Sequence, residues 1–547
     1  MDVQTRQLTA PAIAVGPVRL SWFALGTIVI MVFAVLLRLK GIHDPLLDHP
    51  AWRQGDTASI ARNFALLKYN ILYPQTNYNG PPPNYVELEL QIVPFLAAAL
   101  YKIFGVHEIF GRLITLAFSV ATVGIISLFG RWLFSSWIAG LIAAFFFATF
   151  PGSVYYGRTF TPDTAMVFFL TAALYAVTRF IVEDEALSQR GLGRATALLT
   201  FAYLAKPVAV AAIVPVLGII WERARAGRTM RVTALAVLIF VPLLILWSYD
   251  RRVSAHAEWH WASGITTLHV VPGLQAAFTT GAGFRLKLQQ FGDVLGMLRV
   301  TMLGTLASAI ALASFIALPR IDARSKALLW GWLVGGLAYT YAVVTVERVD
   351  YYMYLLLPLC ALVIGAALAR FLEAIARVDA VPAARYAISA LVPILALASF
   401  AQGRAAIRPY YEYTKEAYRN ATLLDRTLAP GALVVLGHYG PDILYYIKRY
   451  GWEEDPAGWT PFDEQSAIRK GARYFISVED NRLRQNMDLC AWLQRFPVLS
   501  ANGQWPIYVT DPTRVRPHAE TVWQAFRAAK RAGHGRAFLN ENPRCKV

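Results

Sequence analysis

Acidic residues stand beside apolar segments at several points in this sequence. Asp56 lies in a polar segment, Glu87 and Glu89 directly precede an apolar stretch, and Asp163 follows Pro162 at the start of another. A carboxylate close to hydrocarbon is costly and tends to be functional. One such group can act as the general base that takes a proton from an attacking hydroxyl. For Asp163 a second interpretation stays open, because an acid at a helix start also stabilises that helix.

Asp56 and Asp163 are both predicted to lie at helix starts. Helical patterning begins near Asp56, and the apolar segment after Asp163 is long enough for a membrane helix. If both residues lie at the same membrane face, their carboxylates converge on one site. A site that handles a lipid phosphate would also need cations, because charge-assisted hydrogen bonds hold phosphate most strongly.

Basic residues and tyrosines predicted at that same face are the candidate phosphate ligands. Each cation taken alone is also explained by a side chain that extends its charge to the lipid headgroups. The tyrosines are also explained by the aromatic belt of membrane proteins. The candidates are Arg53, Arg62, Arg158, Lys206, Arg285, Lys287, Arg348, Tyr351 and Tyr352.

The composition indicates a membrane protein that crosses the bilayer many times. Of the 547 residues, 56% are hydrophobic and 16% are charged, whereas soluble domains carry about 25% charged residues. The net charge of +17 does not require nucleic acid, because Lys and Arg accumulate in cytoplasmic loops. The three cysteines lack CxxC or Cys/His spacing, which excludes a disulfide scaffold and a zinc motif.

Eleven apolar segments are predicted to form membrane helices around the acidic residues. The fifth is short and stops at Lys206-Pro207, so a broken or tilted helix is expected there. The first is expected to be an uncleaved helix, because no cleavage motif precedes it. The segments cover residues 21–37, 113–129, 137–150, 165–180, 195–206, 208–221, 233–247, 294–318, 327–346, 351–369 and 388–400.

The distribution of Lys and Arg predicts which loops lie outside. With a cytoplasmic N-terminus, the arginine clusters of residues 223–231, 320–326 and 370–385 fall on the inner side. Residues 40–112, 249–293 and everything after about 402 then lie on the outer side. The first outer loop, about 40–112, contains Asp56 and an apolar stretch, 92–105, that we expect to lie at the interface.

The sequence divides into a membrane part, residues 1–402, and an outer part, residues 403–547. Residues 432–436 and 474–478 predict short buried strands, with helical segments at 441–450 and 464–470. Alternating strands and helices favour a small α/β domain. Cys490 and Cys545 lie in this part, and their pairing stays open, whereas Cys360 is expected in the membrane core.

The last residues, 512–547, form a basic tail with 8 basic and 2 acidic residues. Between residues 521 and 538, Val522, Trp523 and Phe526 share one helical face, opposite several basic residues. Two interpretations stay open: a helix resting on anionic headgroups, or a solvated basic tail.

Five stretches in order resemble the C-type (GT-C) glycosyltransferase superfamily. The resemblance is to bacterial relatives of protein O-mannosyltransferases and of the lipid A aminoarabinose transferase, families 39 and 83. It covers about the first 400 residues, and the outer α/β part resembles the variable C-terminal domain of such proteins. The stretches are WRQGDTASIARNF at 52–64, ELELQIVPFLAAALYKIFG at 87–105, YYGRTFTPD at 155–163, LAKP at 204–207 and DYYMYLLLP at 350–358.

The resemblance implies an inverting transfer of one sugar from a polyprenyl-phosphate carrier to an acceptor hydroxyl at the periplasmic face of the bacterial inner membrane. It implies that Asp56 is the general base, that Asp163 is the second acid of the pocket, and that Glu89, with Glu87 as a close second, is the acid of the outer motif. The sequence departs from the pattern at Leu90, where relatives use a lysine on phosphate, and at Val349, where relatives often show a histidine. The implied phosphate ligands are therefore Arg158, Lys206, Arg285 and Tyr352, with Arg53, Arg62 and Arg348 as further candidates.

No cofactor is demanded by the sequence, although a divalent metal held by Asp56, Asp163 and Glu89 is compatible with it. The expected partners are the lipid-linked sugar, a glycan, lipid or protein acceptor, and membrane lipids, without nucleic acid. No nucleotide-binding glycine fingerprint occurs, which agrees with a lipid-linked donor. The alternatives are a transporter or flippase for a lipid-linked or anionic substrate, and a structural membrane protein whose outer domain binds a partner. The absence of a convincing internal repeat disfavours the transporter.

Overall fold

The computed structural model describes residues 12–15, 18–229, 231–379, 381–499, 504–541 and 545, and it is mainly helical. Within these residues seven helices are long and apolar enough to cross a membrane. A further bent pair, Gly281–Met302 and Thr305–Arg320, passes the same test together, and three shorter apolar helices cover Trp22–Arg38, Ile92–Phe104 and Trp137–Thr149. The seven are Glu108–Leu133, Asp163–Val182, Pro207–Arg225, Val232–Ser254, Lys326–Glu347, Asp350–Arg377 and Pro382–Ala406.

Each of the eleven apolar segments of the sequence is mostly helical. The span predicted at 294–318 is not one continuous helix, because the chain turns by 112° between Met302 and Thr305. Gly304 stands at this turn with φ +85°, a conformation that suits glycine and few other residues. The predicted break at Lys206-Pro207 is confirmed. The helix Gln189–Ala205 ends there, and a 3-10 segment, Pro207–Ala212, leads into Ile213–Arg225.

Segments of π-helix and 3-10 helix occur within several spans and also outside them. The π-helical segments are Ile265–Val270, Leu298–Met302 and Thr340–Val344, and the other 3-10 segments are Leu318–Arg320, Asp350–Leu356, Arg408–Tyr411 and Pro512–Arg514. The remaining α-helices are Ala51–Leu66, Pro151–Tyr156, Trp261–Gly264, Val271–Thr279, Lys415–Thr427, Pro441–Ile447, Pro461–Arg469, Asp480–Gln485, Met487–Leu493, Ala519–Arg531 and Gly535–Asn540.

The strands form three sheets. A hairpin of β1 (Ala12–Val15) and β2 (Val18–Ser21) precedes the first helix, and β3 (Val86–Glu87) pairs in parallel with β4 (Trp259–His260). A five-stranded sheet in the C-terminal part has the order β6-β5-β7-β9-β8. Its strands are β5 (Leu433–Gly437), β6 (Tyr450–Glu454), β7 (Ala472–Ser477), β8 (Val498–Leu499) and β9 (Ile507–Val509).

The C-terminal sheet confirms the two strands and two helices predicted there. β6, β5 and β7 are parallel, with Pro441–Ile447 and Pro461–Arg469 as the intervening helices, and β9 is antiparallel to both of its neighbours. Cys490 and Cys545 form a disulfide, which resolves the pairing left open by the sequence. Cys360 is buried in the helix Leu357–Arg377, as expected. The boundary at residue 403 stays a prediction.

The apolar face of the helix in the basic tail is partly covered by protein, whereas Val522 on the same face is exposed. Phe526 is buried at 1% exposure, and Trp523 packs beside it in a core shared with the C-terminal sheet. Lys530 on the same helix pairs with Asp488. Trp523 and Phe526 are thus covered by protein, which favours the solvated tail, and the choice between the two interpretations stays a prediction.

The C-terminal sheet unit packs on the helix Ala51–Leu66, which carries Asp56. One hydrophobic core contains Ala58 and Ala61 of that helix together with Leu444 and Ile447 of the helix Pro441–Ile447. Gly55 permits this approach: a Cβ at residue 55 would lie 2.5 Å from Cα of Asp442. The sheet unit therefore fixes the position of the Asp56 helix.

Candidate functional site

A cavity of about 550 Å³ opens beside the Asp56 helix. One part of its wall is apolar and comes from membrane helices, with Val208, Ala211 and Val214 facing Ala338 and Val343. The other part is polar and aromatic. It is lined by Trp52, Arg53, Asp56, Tyr78, Glu89, Lys206, Trp261, Tyr339 and Tyr352.

Asp56 lies at the polar end of this cavity and is almost completely buried. Its carboxylate accepts hydrogen bonds from Nη1 of Arg53 at 2.7 Å and from the hydroxyl of Tyr78 at 3.0 Å. Burial raises the pKa of the Asp56 carboxyl, while Arg53 and Tyr78 oppose that rise. A buried carboxylate of raised pKa is suited to accept a proton from a hydroxyl.

The predicted placement of Asp56 at a helix start is wrong. The helix begins at Ala51, directly after Pro50, so Asp56 lies in its second turn. Proline disfavours helical backbone in the residue before it, which sets the helix start at this point. Asp163 does begin its helix, Asp163–Val182, as predicted.

Arg53 joins two of the predicted acids. Its guanidinium pairs with Asp56 and also with Glu89, which lies just before the apolar helix Ile92–Phe104. All three side chains are buried. Arg53, which the sequence offered only as a further candidate, is thus the residue that brings Asp56 and Glu89 to one place.

The three carboxylates do not fit a shared metal ion. Arg53 occupies the position between Asp56 and Glu89, and the ammonium group of Lys206 occupies Asp163. Across the part of the chain that the structure describes, no three His, Cys, Asp or Glu side chains are grouped as metal ligands. We derive no step through a metal.

Lys206 and Tyr352 lie together in the cavity wall. Lys206 Nζ donates to Oδ1 of Asp163 at 2.5 Å and lies 4.3 Å from the ring centroid of Tyr352. Lys206 adopts extended backbone because Pro207 follows it, and this turns the residue out of the preceding helix. Lys206 therefore places a cation in the cavity wall, and this cation is paired with Asp163.

Four of the predicted arginines do not line the cavity, and neither do Lys287 and Tyr351. Arg158 is fully buried and pairs with Asp48, while it also donates to the carbonyl of Gly41 at 2.9 Å. Arg62 donates to the carbonyl of Tyr445 at 2.8 Å and stacks on its ring. The remaining two, Arg285 and Arg348, are exposed and outside the cavity lining.

Glu87 and Leu90 lie behind the cavity wall. Glu87 accepts hydrogen bonds from the backbone N–H and hydroxyl of Ser263, and burial raises its pKa to about 7. It thereby fastens the segment that carries Trp261 to β3. Leu90, which stands where relatives have a lysine, packs with Leu204 and Tyr249 in a small apolar cluster.

Sequence reasoning missed three aromatic residues of the site, Tyr78, Trp52 and Trp261. Tyr78 lies in the polar turn Asn77–Gly80, far from any apolar segment, and only the fold brings its hydroxyl to Asp56. Trp52 and Trp261 meet edge to face at 6.1 Å between ring centroids, although 209 residues separate them. Trp52 directly precedes Arg53 in a quoted stretch, which is the one sequence signal that pointed to it.

Comparisons with known proteins agree with this fold. Residues 91–249 match the family described as dolichyl-phosphate-mannose-protein mannosyltransferase. Among curated proteins no sequence match is found.

Solved structures resemble most of the chain in fold. ArnT from Cupriavidus metallidurans bound to undecaprenyl phosphate is 15% identical, with a TM-score of 0.60 over 90% of this chain and 100% of that one. The oligosaccharyltransferase AglB from Archaeoglobus fulgidus, in complex with an inhibitory peptide and a dolichol-phosphate, is 13% identical, with a TM-score of 0.55 over 90% of this chain and 75% of that one. The predicted GT-C fold and the predicted resemblance are confirmed.

Proposed function

We propose that the chain is a membrane glycosyltransferase that moves one sugar from a polyprenyl-phosphate carrier to an acceptor hydroxyl. The observation that carries the proposal is the cavity beside Asp56. Its apolar wall lies between membrane helices, and its other end holds two buried acids, Asp56 and Glu89, and two cations, Arg53 and Lys206. That division matches a substrate with a long apolar chain, a phosphate and a sugar. The matched family and the fold of ArnT and AglB support the same assignment.

The prenyl chain would lie along the apolar wall formed by Val208, Val214 and Val343. Its phosphate would then reach Lys206 and Tyr352. These two residues would take the place of the lysine that relatives have at the position of Leu90. Electrostatic stabilisation by fixed cations favours departure of a phosphate. Polyprenyl phosphate is already an adequate leaving group, so no acid is required to protonate it.

In the transfer step, the acceptor oxygen attacks the anomeric carbon as the bond from that carbon to the phosphate oxygen breaks. The bonding electron pair leaves with the phosphate, and the configuration at the anomeric carbon inverts. Asp56 takes the hydroxyl proton. Arg53 and Tyr78 orient the Asp56 carboxylate, and Trp52 and Trp261 offer apolar faces to the sugar ring.

The proposed acceptor class is a hydroxyl of a glycan, a lipid such as lipid A, or a protein at the periplasmic face of the inner membrane. The C-terminal sheet unit packs against the Asp56 helix, where Gly55 and Asp442 touch. The proposal gives this unit a role in acceptor binding or scaffolding beside the site.

The first test compares wild type, Asp56→Asn and Asp293→Asn in native mass spectrometry and in a transfer assay with synthetic polyprenyl-phosphate sugars. Loss of a general base lowers the rate by about 10²–10⁴-fold, so Asp56→Asn should retain glycosylated carrier without turning it over. Asp293 is exposed on the helix Gly281–Met297, and its variant should match wild type. The mass of the retained carrier identifies the sugar.

The donor is tested separately with Lys206→Met and the double variant Lys206→Met/Asp163→Asn. The single variant leaves the Asp163 carboxylate buried without its cation, which costs about 3–5 kcal/mol. The double variant should recover thermal stability but still bind polyprenyl phosphate weakly. If donor binding returns together with stability, Lys206 only supports Asp163. If no variant and no wild-type sample binds the carrier, the transferase proposal fails and a transporter becomes the better interpretation.

A further inference from the structure

A second cavity, of about 190 Å³, lies away from the Asp56 site. It is bounded by the helix Trp22–Arg38, the helix Pro151–Tyr156 and the last membrane span, Pro382–Ala406. Its wall is apolar, with Leu36, Val154, Phe400 and Ile407 among its residues. The charged residues in its lining are Lys40 and Arg404, and no acid lines it among the described residues.

The cations at this cavity have no acidic partner. Within the described ranges, Lys40, Arg404 and Arg408 form no ion pair and donate no side-chain hydrogen bond. Burial lowers the pKa of Lys40, and Arg404, Arg158 and Arg408 lower it further, whereas Asp44 opposes them. The positive charges therefore reinforce one another, and Asp44, which partly offsets them at Lys40, forms no ion pair with any of the three among the described residues.

Tyr411 separates these cations from the ion pairs of the protein interior. Lys40 Nζ lies 4.0 Å from the ring centroid of Tyr411, and the guanidinium of Arg158 lies 4.7 Å from the same centroid. Asp48 serves Arg158 and Arg112 and is completely buried. The Asp48 carboxylate is thus already paired with two arginines, and the Tyr411 ring holds Lys40 at the edge of the cavity.

The cavity lies where two membrane helices end. Lys40 follows the end of Trp22–Arg38, and Arg404 lies in the last turn of Leu391–Ala406. The two helices touch through Phe33 and Phe400, at 5.8 Å between ring centroids. Only 17% of the apolar window of the span Pro382–Ala406 is buried inside the protein, so lipid chains must surround the rest. Cations at such a boundary attract anionic headgroups.

We propose that this cavity binds an anionic phospholipid of the surrounding bilayer. Its phosphate would pair with Lys40 and Arg404, with Arg408 adding to the field, and an acyl chain would lie against Leu36 and Phe400. Charge complementarity selects an anionic rather than a zwitterionic lipid, and the apolar wall selects a lipid rather than a free anion. The inference depends on the membrane location of the chain and not on the proposed transferase activity.

The experiment places the full chain in nanodiscs that contain equal amounts of phosphatidylglycerol and phosphatidylcholine. Native mass spectrometry then counts the lipids that stay bound in wild type, Arg404→Glu and Arg252→Glu. Each basic residue near a membrane surface strengthens anionic lipid binding by about fivefold. Retention of phosphatidylglycerol should thus fall by at least this factor in Arg404→Glu. Arg252 is an exposed cation in the last turn of Val232–Ser254, and its variant should retain the wild-type ratio.

Arg404 is exposed and without a partner among the described residues, so Arg404→Glu should unfold at the wild-type temperature. Lys40→Gln, which removes charge without reversing it, should give a smaller loss in the same direction. Equal retention of the two lipids by wild type would overturn the proposal, as would unchanged retention in Arg404→Glu. Displacement of the bound lipid by inorganic phosphate alone would show a simple anion site instead of a lipid site.

Discussion

Arg53 connects the two acids of the site by pairing with both of them. This buried arginine holds the carboxylates of Asp56 and Glu89 at one place. The Tyr78 hydroxyl adds a second donor to Asp56. These two donors offset the burial that raises the pKa of Asp56. The proposed base thus stays available while remaining basic enough to accept a proton.

Tyr78→Phe should move the pH dependence of transfer. The hydrogen bond from Tyr78 lowers the pKa of Asp56, so its removal raises that pKa. Activity that needs ionised Asp56 is present above this pKa and is lost as the pH falls through it. The acidic limb of the pH–rate profile should therefore shift to higher pH. A hydrogen bond to a charged group contributes about 1.5–3 kcal/mol.

The matched control for Tyr78→Phe is Tyr439→Phe, because Tyr439 is exposed on the C-terminal unit. Its profile should overlay that of wild type. An unshifted acidic limb in Tyr78→Phe, with transfer otherwise slowed, would remove Asp56 as the group that titrates.

At the scale of elements, proline and glycine explain both what the sequence could predict and what it could not. Pro207 marks the break that places Lys206 in the cavity, and that break was predictable from a local rule. Glycine is also a local signal for a turn. The turn at Gly304 was not predicted, because Gly304 lies inside an apolar segment long enough to be one membrane helix. The start of the Asp56 helix was mispredicted because Ala51, Trp52 and Arg53 extend the helix backward to Pro50.

The site itself was only partly accessible from sequence. Asp56, Glu89, Lys206 and Tyr352 all line the cavity. They could be predicted because each lies in a stretch that resembles known glycosyltransferases. Arg158 lies in such a stretch too, yet its partner Asp48 takes it elsewhere. Which cation meets which acid depends on contacts between distant elements, and apolar periodicity carries no information about them.

Gly55→Ala should separate the C-terminal sheet unit from the Asp56 helix. Alanine within a helix normally stabilises by about 1 kcal/mol relative to glycine. Here the new Cβ would lie 2.5 Å from the backbone of Asp442, so one of the two elements must shift. We expect a lower unfolding temperature and slower transfer.

Gly193→Ala is the control for this prediction. Gly193 lies in the helix Gln189–Ala205, is exposed, and has nothing within 4 Å of an added Cβ. Its variant should gain stability and keep wild-type activity. Equal stability of the two variants would mean that the contact at residue 55 adapts without cost.

Over the whole molecule, the loops predicted to be cytoplasmic meet at one end. Arg223 donates to the carbonyls of Ile181 and Asp184, and Ser325 donates to the carboxylate of Glu222. These contacts join the loop that follows the helix Asp163–Val182 to the two loops that carry the arginine clusters 223–231 and 320–326. These loops share one end and are rich in arginine, so the rule on Lys and Arg distribution predicts that this end faces the cytoplasm. The sheet unit, which packs on the Asp56 helix, is then expected on the periplasmic side.

The Cys490–Cys545 disulfide makes this orientation testable in cells. Disulfides form in oxidising compartments and are rare in the cytoplasm, so a periplasmic sheet unit should contain the bond in vivo. Alkaline phosphatase fused after the last residue should be active, and the same enzyme inserted at Gly227, in the loop beside Arg223, should be inactive. Thiol labelling without reductant should leave both cysteines unmodified, whereas Cys490→Ser should expose Cys545 to the reagent. Labelled cysteines in the wild type together with an inactive C-terminal fusion would place the sheet unit in the cytoplasm. The unit would then lie on the side opposite to the proposed transfer reaction, and the acceptor role proposed for it would be wrong.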